Sequence, residues 1–484
     1  MKILLINPPD DLEALLGEGA SFISTFEPLG LLYMASFLAR EGYPVEVIDA
    51  YAERLSLEAL KERIIQASPD LVGLTSFTSN GAIVYELGKW TKRSLPDALV
   101  VLGNVHADVY AAQYLQNGCC DVVIHGEGEH SLLEVVRTLE RGTRDFSAIA
   151  HASSMRNGDL VPNRDWGITP DLSSLPLPAR DLVRQDLYNI PAISNLPYSG
   201  KGGKGKHMFT SRGCPNRCTF CVVHHGRRQR FNAVDRVVDE MALLVEKYGA
   251  GYIFIMDSLF ISDKRRVTEI CREIRNRGLS FKWGCEAHVR FIDRELVEAM
   301  QSAGCYDMAF GIESGVQRLL DGVKKKIRLD QVESAVRTVK RFSDIKVSGL
   351  FILGLPGETY QDSLQTIAFA KSLPLDMAQF SILTPYPGSE IFFDLRDKGL
   401  IDTGVRPDGT LDTSVWLRYS AYISYTDNEP IWVTPELTAD QLKRLQKKAV
   451  RQFYWRPKQF WDQFKRVRVS ELPSIIKAFV KTFF

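Results

Sequence analysis

Nowhere does the sequence carry about 18 uninterrupted apolar residues, so a membrane-spanning helix is not expected. The opening Met1-Lys-Ile-Leu-Leu-Ile6 is too short for the apolar core of a secretory signal, and Asn7-Pro-Pro9 ends it. Net charge is nearly absent as well. Against 59 Asp and Glu stand 60 Lys and Arg, a balance of +1 that argues for no nucleic-acid partner. Cysteine is scarce and uneven: of eight, three lie within eight positions. A disulfide framework belongs to short secreted chains, so free thiols in a reducing cytoplasm are expected. A working phosphate loop is missing too. Gly200-Lys-Gly-Gly-Lys-Gly-Lys206 satisfies most of G-x4-G-K-[ST], but His207 stands where a hydroxyl is needed and the loop precedes a strand. It reads as a mobile basic loop.

What is present is concentrated in Ser211-Arg-Gly-Cys-Pro-Asn-Arg-Cys-Thr-Phe-Cys221. Cys214, Cys218 and Cys221 follow a C-x3-C-x2-C spacing. Three thiolates in so short a loop can hold three corners of a cubic iron–sulfur cluster. The next cysteine is Cys271, so one iron would stay open to a small molecule, which suits chemistry better than structure or electron transfer. Gly213 and Pro215 favour a turn around the first cysteine. Zinc, completed by His224 or His225, is the competing reading.

Two alternating patterns flank this loop, as a chain of 484 residues leads one to expect of two or three domains. In residues 1–141, five short apolar runs (Lys2–Ile6, Val45–Ile48, Leu71–Thr75, Ala98–Leu102, Val122–Ile124) alternate with helical periods, including Leu29–Arg40 and Ala107–Asn117. A doubly wound parallel sheet is implied, with ligands outside the strand ends at Asn7, Asp49, Ser76, Gly103 and Gly126. In Gly103-Asn-Val-His106 and Gly126-Glu-Gly-Glu129, glycine lets a bulky ligand approach the backbone. Taken alone, the second loop also reads as a plain turn with acidic first-turn residues, and His106 as an ordinary loop histidine.

Residues 142–205 read as a linker, with a hairpin turn at Asn157-Gly158 and a stiff Leu175-Pro-Leu-Pro178 segment. From 206 to 400, six strand–helix units begin at His207–Ser211 and imply a partial parallel barrel with chemistry at the strand C-termini. Those ends carry the cysteine loop, Asp257, Glu286, Glu313 and Gly354-Leu-Pro-Gly-Glu358.

On these residues the chain resembles the radical S-adenosylmethionine (SAM) superfamily, and within it the subclass that carries a cobalamin-binding domain. The cysteine spacing and Phe220 before the last cysteine carry the first resemblance. Asn7-Pro-Pro9, Glu27-Pro-Leu-Gly30, Asp70-Leu-Val-Gly73, Gly103–His106 and Gly126–Glu129 carry the second. Pro178-Ala-Arg-Asp-Leu182 and Tyr454-Trp-Arg-Pro457 are similar to segments that join the domains and end many such chains. The resemblance implies an α/β fold: a doubly wound, Rossmann-like cobalamin-binding domain, then a partial (β/α)6 radical SAM barrel, then a small C-terminal helical region. It implies a 4Fe-4S cluster, SAM and cobalamin as cofactors. SAM would be held by Phe220, Asp257, Glu313, Ser314, Gly354 and Pro356, with Glu313 on the ribose diol, where a carboxylate can accept two hydrogen bonds. Cobalamin would contact Asn7, Ser76, Gly103, His106, Gly126, Glu127 and Gly128. Methyl-carrier proteins ligate cobalt from an Asp-x-His-x-x-Gly loop. No histidine precedes His106 here, so a corrinoid with its base displaced and no histidine on cobalt is expected. The implied activity is methylation of an unactivated carbon of a small-molecule or lipid substrate after reductive cleavage of SAM, with a flavodoxin- or ferredoxin-type donor. Cyclisation or ring rearrangement on the same cofactors is one alternative, and a non-catalytic cobalamin or redox sensor another.

Residues 401–484 read as a substrate cover and a basic tail. Between Gln441 and Phe484 stand twelve Lys and Arg against two Asp and Glu, interleaved with Phe453, Tyr454, Trp455, Phe460, Trp461 and Phe464. One reading is a peripheral contact with an anionic membrane at its inner face. The other is a solvated basic face whose aromatics pack on the barrel.

Overall fold

In the computed structural model, which describes residues 1–11, 15, 25–163, 165–188, 204–457 and 459, the first apolar runs become parallel strands. These are β1 (Ile3–Asn7), β2 (Val45–Asp49), β3 (Leu71–Thr75), β4 (Leu99–Gly103) and β5 (Val122–Ile124), ordered β2-β1-β3-β4-β5. Helices α1 (Leu29–Arg40), α2 (Leu57–Ala67), α3 (Gly81–Ser94), α4 (Val105–Val109), α5 (Ala111–Gln116) and α6 (Glu129–Glu140) connect them. Side chains alternate between the sheet's faces, and both faces are apolar because both are covered. Ile3, Leu5, Leu71 and Val101 pack on α1 and α6. Leu4, Ile6, Val72, Leu74 and Leu102 pack on α2 and α3. The helix expected over Ala107–Asn117 is two short ones. The chain breaks at Tyr110, whose hydroxyl reaches the Thr403 carbonyl at 2.9 Å.

Asn157 (φ 52°) and Gly158 (φ 90°) both take the left-handed conformation that a tight hairpin needs. They join β6 (Ala152–Arg156) to β7 (Asp159–Val161), and β6 pairs antiparallel with β5. The first sheet therefore continues to residue 161.

The second sheet holds six parallel strands in sequence order: β8 (Lys204–Met208), β11 (Ala250–Ile255), β12 (Lys282–Ala287), β13 (Cys305–Glu313), β14 (Lys346–Leu353) and β15 (Met377–Ile382). Helices α7 (Val234–Glu246), α8 (Lys264–Asn276), α9 (Arg294–Ser302), α10 (Gln317–Gly322), α11 (Leu329–Phe342) and α12 (Tyr360–Ser372) lie between them, and α13 (Glu390–Asp397) follows. The first strand ends earlier than expected, at Met208. Ser211–Arg212 leaves it as β9 to pair with β10 (Arg230–Phe231), and the cysteine loop hangs between these two short strands. The basic-loop reading of Gly200–Lys206 is corrected at Lys206, which is a buried member of β8; residues 200–203 lie outside the described residues.

At the C-terminus α14 (Ala439–Tyr454) lays Leu442, Leu445, Ala449 and Phe453 on the barrel, and the Tyr454 hydroxyl donates to the Ala378 carbonyl at 2.9 Å. Phe453 and Tyr454 of the tail thus pack on the protein, whereas Trp455 is exposed. Phe460, Trp461 and Phe464 lie outside the described residues. Among the described residues no helix is long and apolar enough to cross a membrane.

The two sheets are held together by buried charge. Arg180, from the linker, pairs with Glu27 before α1 and with Glu240 of α7 (3.0 Å), and donates to the His207 carbonyl (2.7 Å). Lys206 reaches the other Glu27 oxygen at 3.1 Å. The side chains of Glu27, Arg180, Lys206 and Glu240 are at most 2% exposed. Removing one member of such a pair leaves an unpaired buried charge, at a cost of about 3–5 kcal/mol. Arg180→Met should lower the urea midpoint sharply, and adding Glu27→Gln should recover part of the loss. Equal midpoints for wild type and Arg180→Met would show that the knot does not hold the domains.

Candidate active site between the two sheets

The segment that carries the cysteines, after the first strand of the second sheet, meets the strand ends of the first sheet. On the first sheet, Leu5, Gly73 and Val101 stand in register on neighbouring strands. Gly73 lets the Leu5 side chain lie against its backbone, since a Cβ would come within 2.6 Å of that side chain. Between this face and helices α1 and α6 opens a cleft. Leu5, Leu31, Met34 and Leu132 wall it, and Gly30, Gly103, Gly126 and Gly128 line it. A Cβ on Gly30 would meet nothing within 4 Å and would project into open space.

Of the residues expected at a corrinoid, the structure brings Gly103, Gly126, Glu127 and Gly128 to this cleft. It puts Asn7, Ser76 and His106 elsewhere. Asn7 donates to Asp49 at 2.8 Å, and Ser76 is buried 3.5 Å from the Tyr114 hydroxyl. His106 is buried under the loop, 4.3 Å from the Trp416 ring and 4.6 Å from Tyr110, with Nδ1 3.2 Å from the Thr78 hydroxyl. Burial pushes its pKa down to about 3, so it is neutral packing material. Trp416, over 300 residues away in the chain, supplies the contact that no local pattern announces.

Glu127 has a second set of partners. Arg230 grips it through two hydrogen bonds of 2.7 and 2.9 Å, and Nδ1 of His225 lies 3.2 Å away. Burial works against its charge, but His225, Arg230 and Arg212 win and hold the carboxyl well below the usual range. Arg212, two residues before Cys214, reaches Glu129 at 2.8 Å. The Gly-Glu-Gly-Glu loop therefore ties the first sheet to the cysteine loop. Arg212, His224 and His225 complete the wall of the cleft.

Cys214, Cys218 and Cys221 lie in one turn. Gly213 enters it at φ 90°, where a side chain is disfavoured. The Cys214 N–H donates to the Gly226 carbonyl at 3.2 Å, and the Cys221 N–H donates to Cys218 at 3.2 Å. Cys221 is exposed at the rim of this turn, and the neighbouring thiols favour its protonated form, so a metal centre must displace that proton. The other buried cysteines of the barrel, Cys271, Cys285 and Cys305, belong to its apolar core. His224 and His225, which would complete a zinc site, turn instead toward Asp108 (3.9 Å) and Glu127 (3.2 Å). Among the described residues no three ligating groups converge on one ion. Three thiols on separate corners of a cluster have no need to converge, so the residues present fit an open-corner cluster better than zinc.

The expected SAM contacts divide. Glu313 ends β13 in the left-handed region (φ 66°), and its carboxylate meets Lys325 Nζ at 2.6 Å. Phe220 lies beside the same ammonium, 6.0 Å from ring centre to nitrogen. Gly354 (φ 84°) and Pro356 form the loop after β14, which Glu358 holds by accepting from the Leu355 N–H (2.8 Å) and the Ser363 hydroxyl (2.5 Å). Ser314 is fully buried against Thr366 (3.1 Å), so its hydroxyl serves the turn. Asp257 is corrected in role. It is buried and accepts from the Thr210 N–H (2.6 Å), the Thr210 hydroxyl (2.5 Å) and the Ser211 hydroxyl (2.7 Å). Strand β11 ends beside β8, so its final carboxylate meets the chain leaving that neighbour and sets where the cysteine loop begins. Sequence reasoning missed Lys325 and Arg230, because each sits in a basic run that reads as a solvated surface.

Such an arrangement defines a class: a six-stranded partial barrel whose cysteine loop closes the cleft of a doubly wound domain. The comparisons agree. Residues 19–136 match the B12 binding domain model and residues 208–370 the Radical SAM superfamily model. An uncharacterized methyltransferase of Pyrococcus horikoshii is 32% identical over 464 residues, 95% of this chain and 93% of that protein. The anaerobic magnesium-protoporphyrin IX monomethyl ester cyclase of Cereibacter sphaeroides is 28% identical, over 78% of this chain and 62% of its own length. Among solved structures, the radical S-adenosylmethionine methyltransferase TsrM from Kitasatospora setae, with cobalamin and a 4Fe-4S cluster bound, superposes with a TM-score of 0.67. The match is at 20% identity, over 97% of this chain and 89% of that one. The chain belongs to the B12-binding radical SAM family.

Filling the cleft tests its use. Gly30→Phe places a ring in the open space beside α1. Protein expressed with cobalamin should lose at least about tenfold in bound cobalt while its iron content is unchanged, both read by elemental analysis. Full cobalt retention would place the corrinoid elsewhere.

Proposed function

We propose that this protein is a cobalamin-dependent radical SAM methyltransferase that adds a methyl group to an unactivated carbon of a small organic molecule. The observation that carries this reading is the shared wall: Arg212, His224 and His225, which flank the three cysteines, line the glycine-floored cleft. A cluster on one side and a corrinoid on the other would then act on one substrate pocket. When bound, a cluster with one open iron supplies the electron that cleaves SAM to a carbon radical, and cobalamin supplies the methyl group. The protein positions these groups and excludes competing reactions. Cys214, Cys218 and Cys221 hold the cluster, and Asp257 fixes the start of their loop. Glu313 and the Gly354–Glu358 loop receive SAM. Gly103, Gly126 and Gly128 let the corrinoid lie close to the backbone. An external donor of flavodoxin or ferredoxin type provides the electron.

The cyclase relative supports a second reading, in which the same cofactors form a ring without methyl transfer. Product mass separates the two. The anaerobically reconstituted, reduced chain should convert SAM to methionine and 5′-deoxyadenosine, and its substrate should gain the mass of one CH2. An unchanged or hydrogen-depleted product means cyclisation. Absence of SAM cleavage by iron-loaded protein removes the enzyme reading. Replacing Cys214, Cys218 and Cys221 with alanine should abolish both iron binding and cleavage.

A further inference from the structure

The run Lys324-Lys-Lys326 reads in the sequence as solvated charge, and two of its members are exposed. Lys325 between them is not. Its side chain is 13% exposed and its ammonium pairs with Glu313, itself 9% exposed. Burying an ammonium costs several kcal/mol unless it is paired, and a buried ion pair is often no more stabilising than an apolar one of the same volume. Stability alone therefore does not explain the choice of lysine.

The local backbone is bent to deliver it. Lys324 (φ 55°), Lys326 (φ 54°) and Glu313 (φ 66°) all lie in the left-handed region, which residues with side chains rarely adopt. Space has been cleared as well. A Cβ on Gly311 would come within 2.6 Å of the Glu313 oxygen and 2.8 Å of Lys325 Nζ. The same turn is fastened to the cysteine loop. The Thr219 N–H donates to the Val323 carbonyl at 3.1 Å, and the Cys218 sulfur lies 3.9 Å from the Lys324 carbonyl. Titratable groups that feel the ammonium are Glu313, Glu286, His288, Cys218 and Cys221. Burial opposes the charge on Lys325, and the Glu313 carboxylate at 2.6 Å favours it.

We propose that Lys325 is the counter-cation of the cysteine-loop cluster, and that it sets the potential at which that cluster accepts an electron. The inference rests on the proposed function, since it needs a cluster on Cys214, Cys218 and Cys221. The step is the transfer of one electron from an external low-potential donor, with no bond made or broken and no proton moved. The added negative charge is offset by a fixed positive charge that sits beside the ligating loop in a water-poor site, where charges act strongly. Lys325 ligates nothing, so it is a positioning residue. It also holds Glu313 beside the cysteine loop.

The test is a potentiometric titration of the full-length, anaerobically reconstituted protein without SAM, followed by the electron paramagnetic resonance of the reduced cluster. Lys325→Met should weaken reduction at least about tenfold, which for one electron is about 59 mV toward more negative potential. Lys325→Arg should restore most of the difference, and Lys326→Gln, an exposed neighbour, should match wild type. Should Lys325→Met fail to take up iron, Lys325→Gln carries the same expectation, because its amide can still donate to Glu313. A neutral variant with full iron content and wild-type potential overturns the proposal, as does an equal shift in Lys326→Gln. A wild-type protein that binds no reducible cluster would instead overturn the functional reading itself.

Discussion

A carboxylate that no water reaches organises this molecule. Glu27 stands just before α1, and it is met by Arg180 from the linker and Lys206 from the first barrel strand. Each of these charges would be costly alone, and together they are tolerated only in one geometry. That geometry brings the start of a helix in one domain, the connecting segment and a strand of the other domain to a single point. Glu27-Pro-Leu-Gly30 and Pro178-Ala-Arg-Asp-Leu182, more than 140 residues apart, are the two halves of one contact. The relative placement of the sheets follows from it, and so does the cleft they share.

A second tie does the finer positioning. The Gly-Glu-Gly-Glu loop opens the first sheet's cleft with its glycines and grips the cysteine loop through Glu127 and Glu129. From the other side, Asp257 takes up the chain just before that loop, and Lys325 and its turn close over it. The cysteine loop has little backbone hydrogen bonding of its own, so its shape is imposed by three separate pieces of the fold.

Much of this was legible in the chain. Short apolar runs between helical periods of 3.6 yield the parallel strands of both sheets, since such patterns are local properties. Cys214, Cys218 and Cys221 announce themselves because ligand spacing within one turn is also local. Glycines at strand ends point to the cleft for the same reason. Where reasoning went astray, the missing information was a distant partner. His106 was expected to touch the corrinoid, but Trp416 covers it. Asp257 was expected to touch SAM, but Thr210 and Ser211 fill its oxygens. The hairpin after residue 141 looked like a linker excursion until β6 paired with β5.

By itself, then, the sequence determined the element types, the C-x3-C-x2-C spacing and the kinship to a B12-binding radical SAM family, because each depends on residues within a few turns of one another. The tertiary structure decided which charges are buried and what they hold. Glu127 became a tie as well as a wall, Lys206 left the basic loop for an ion pair, and Lys325 was picked out of three consecutive lysines to pair with Glu313. A lysine's chemistry is set by whether water or a carboxylate surrounds its ammonium, and that environment is made by segments the chain brings together only on folding.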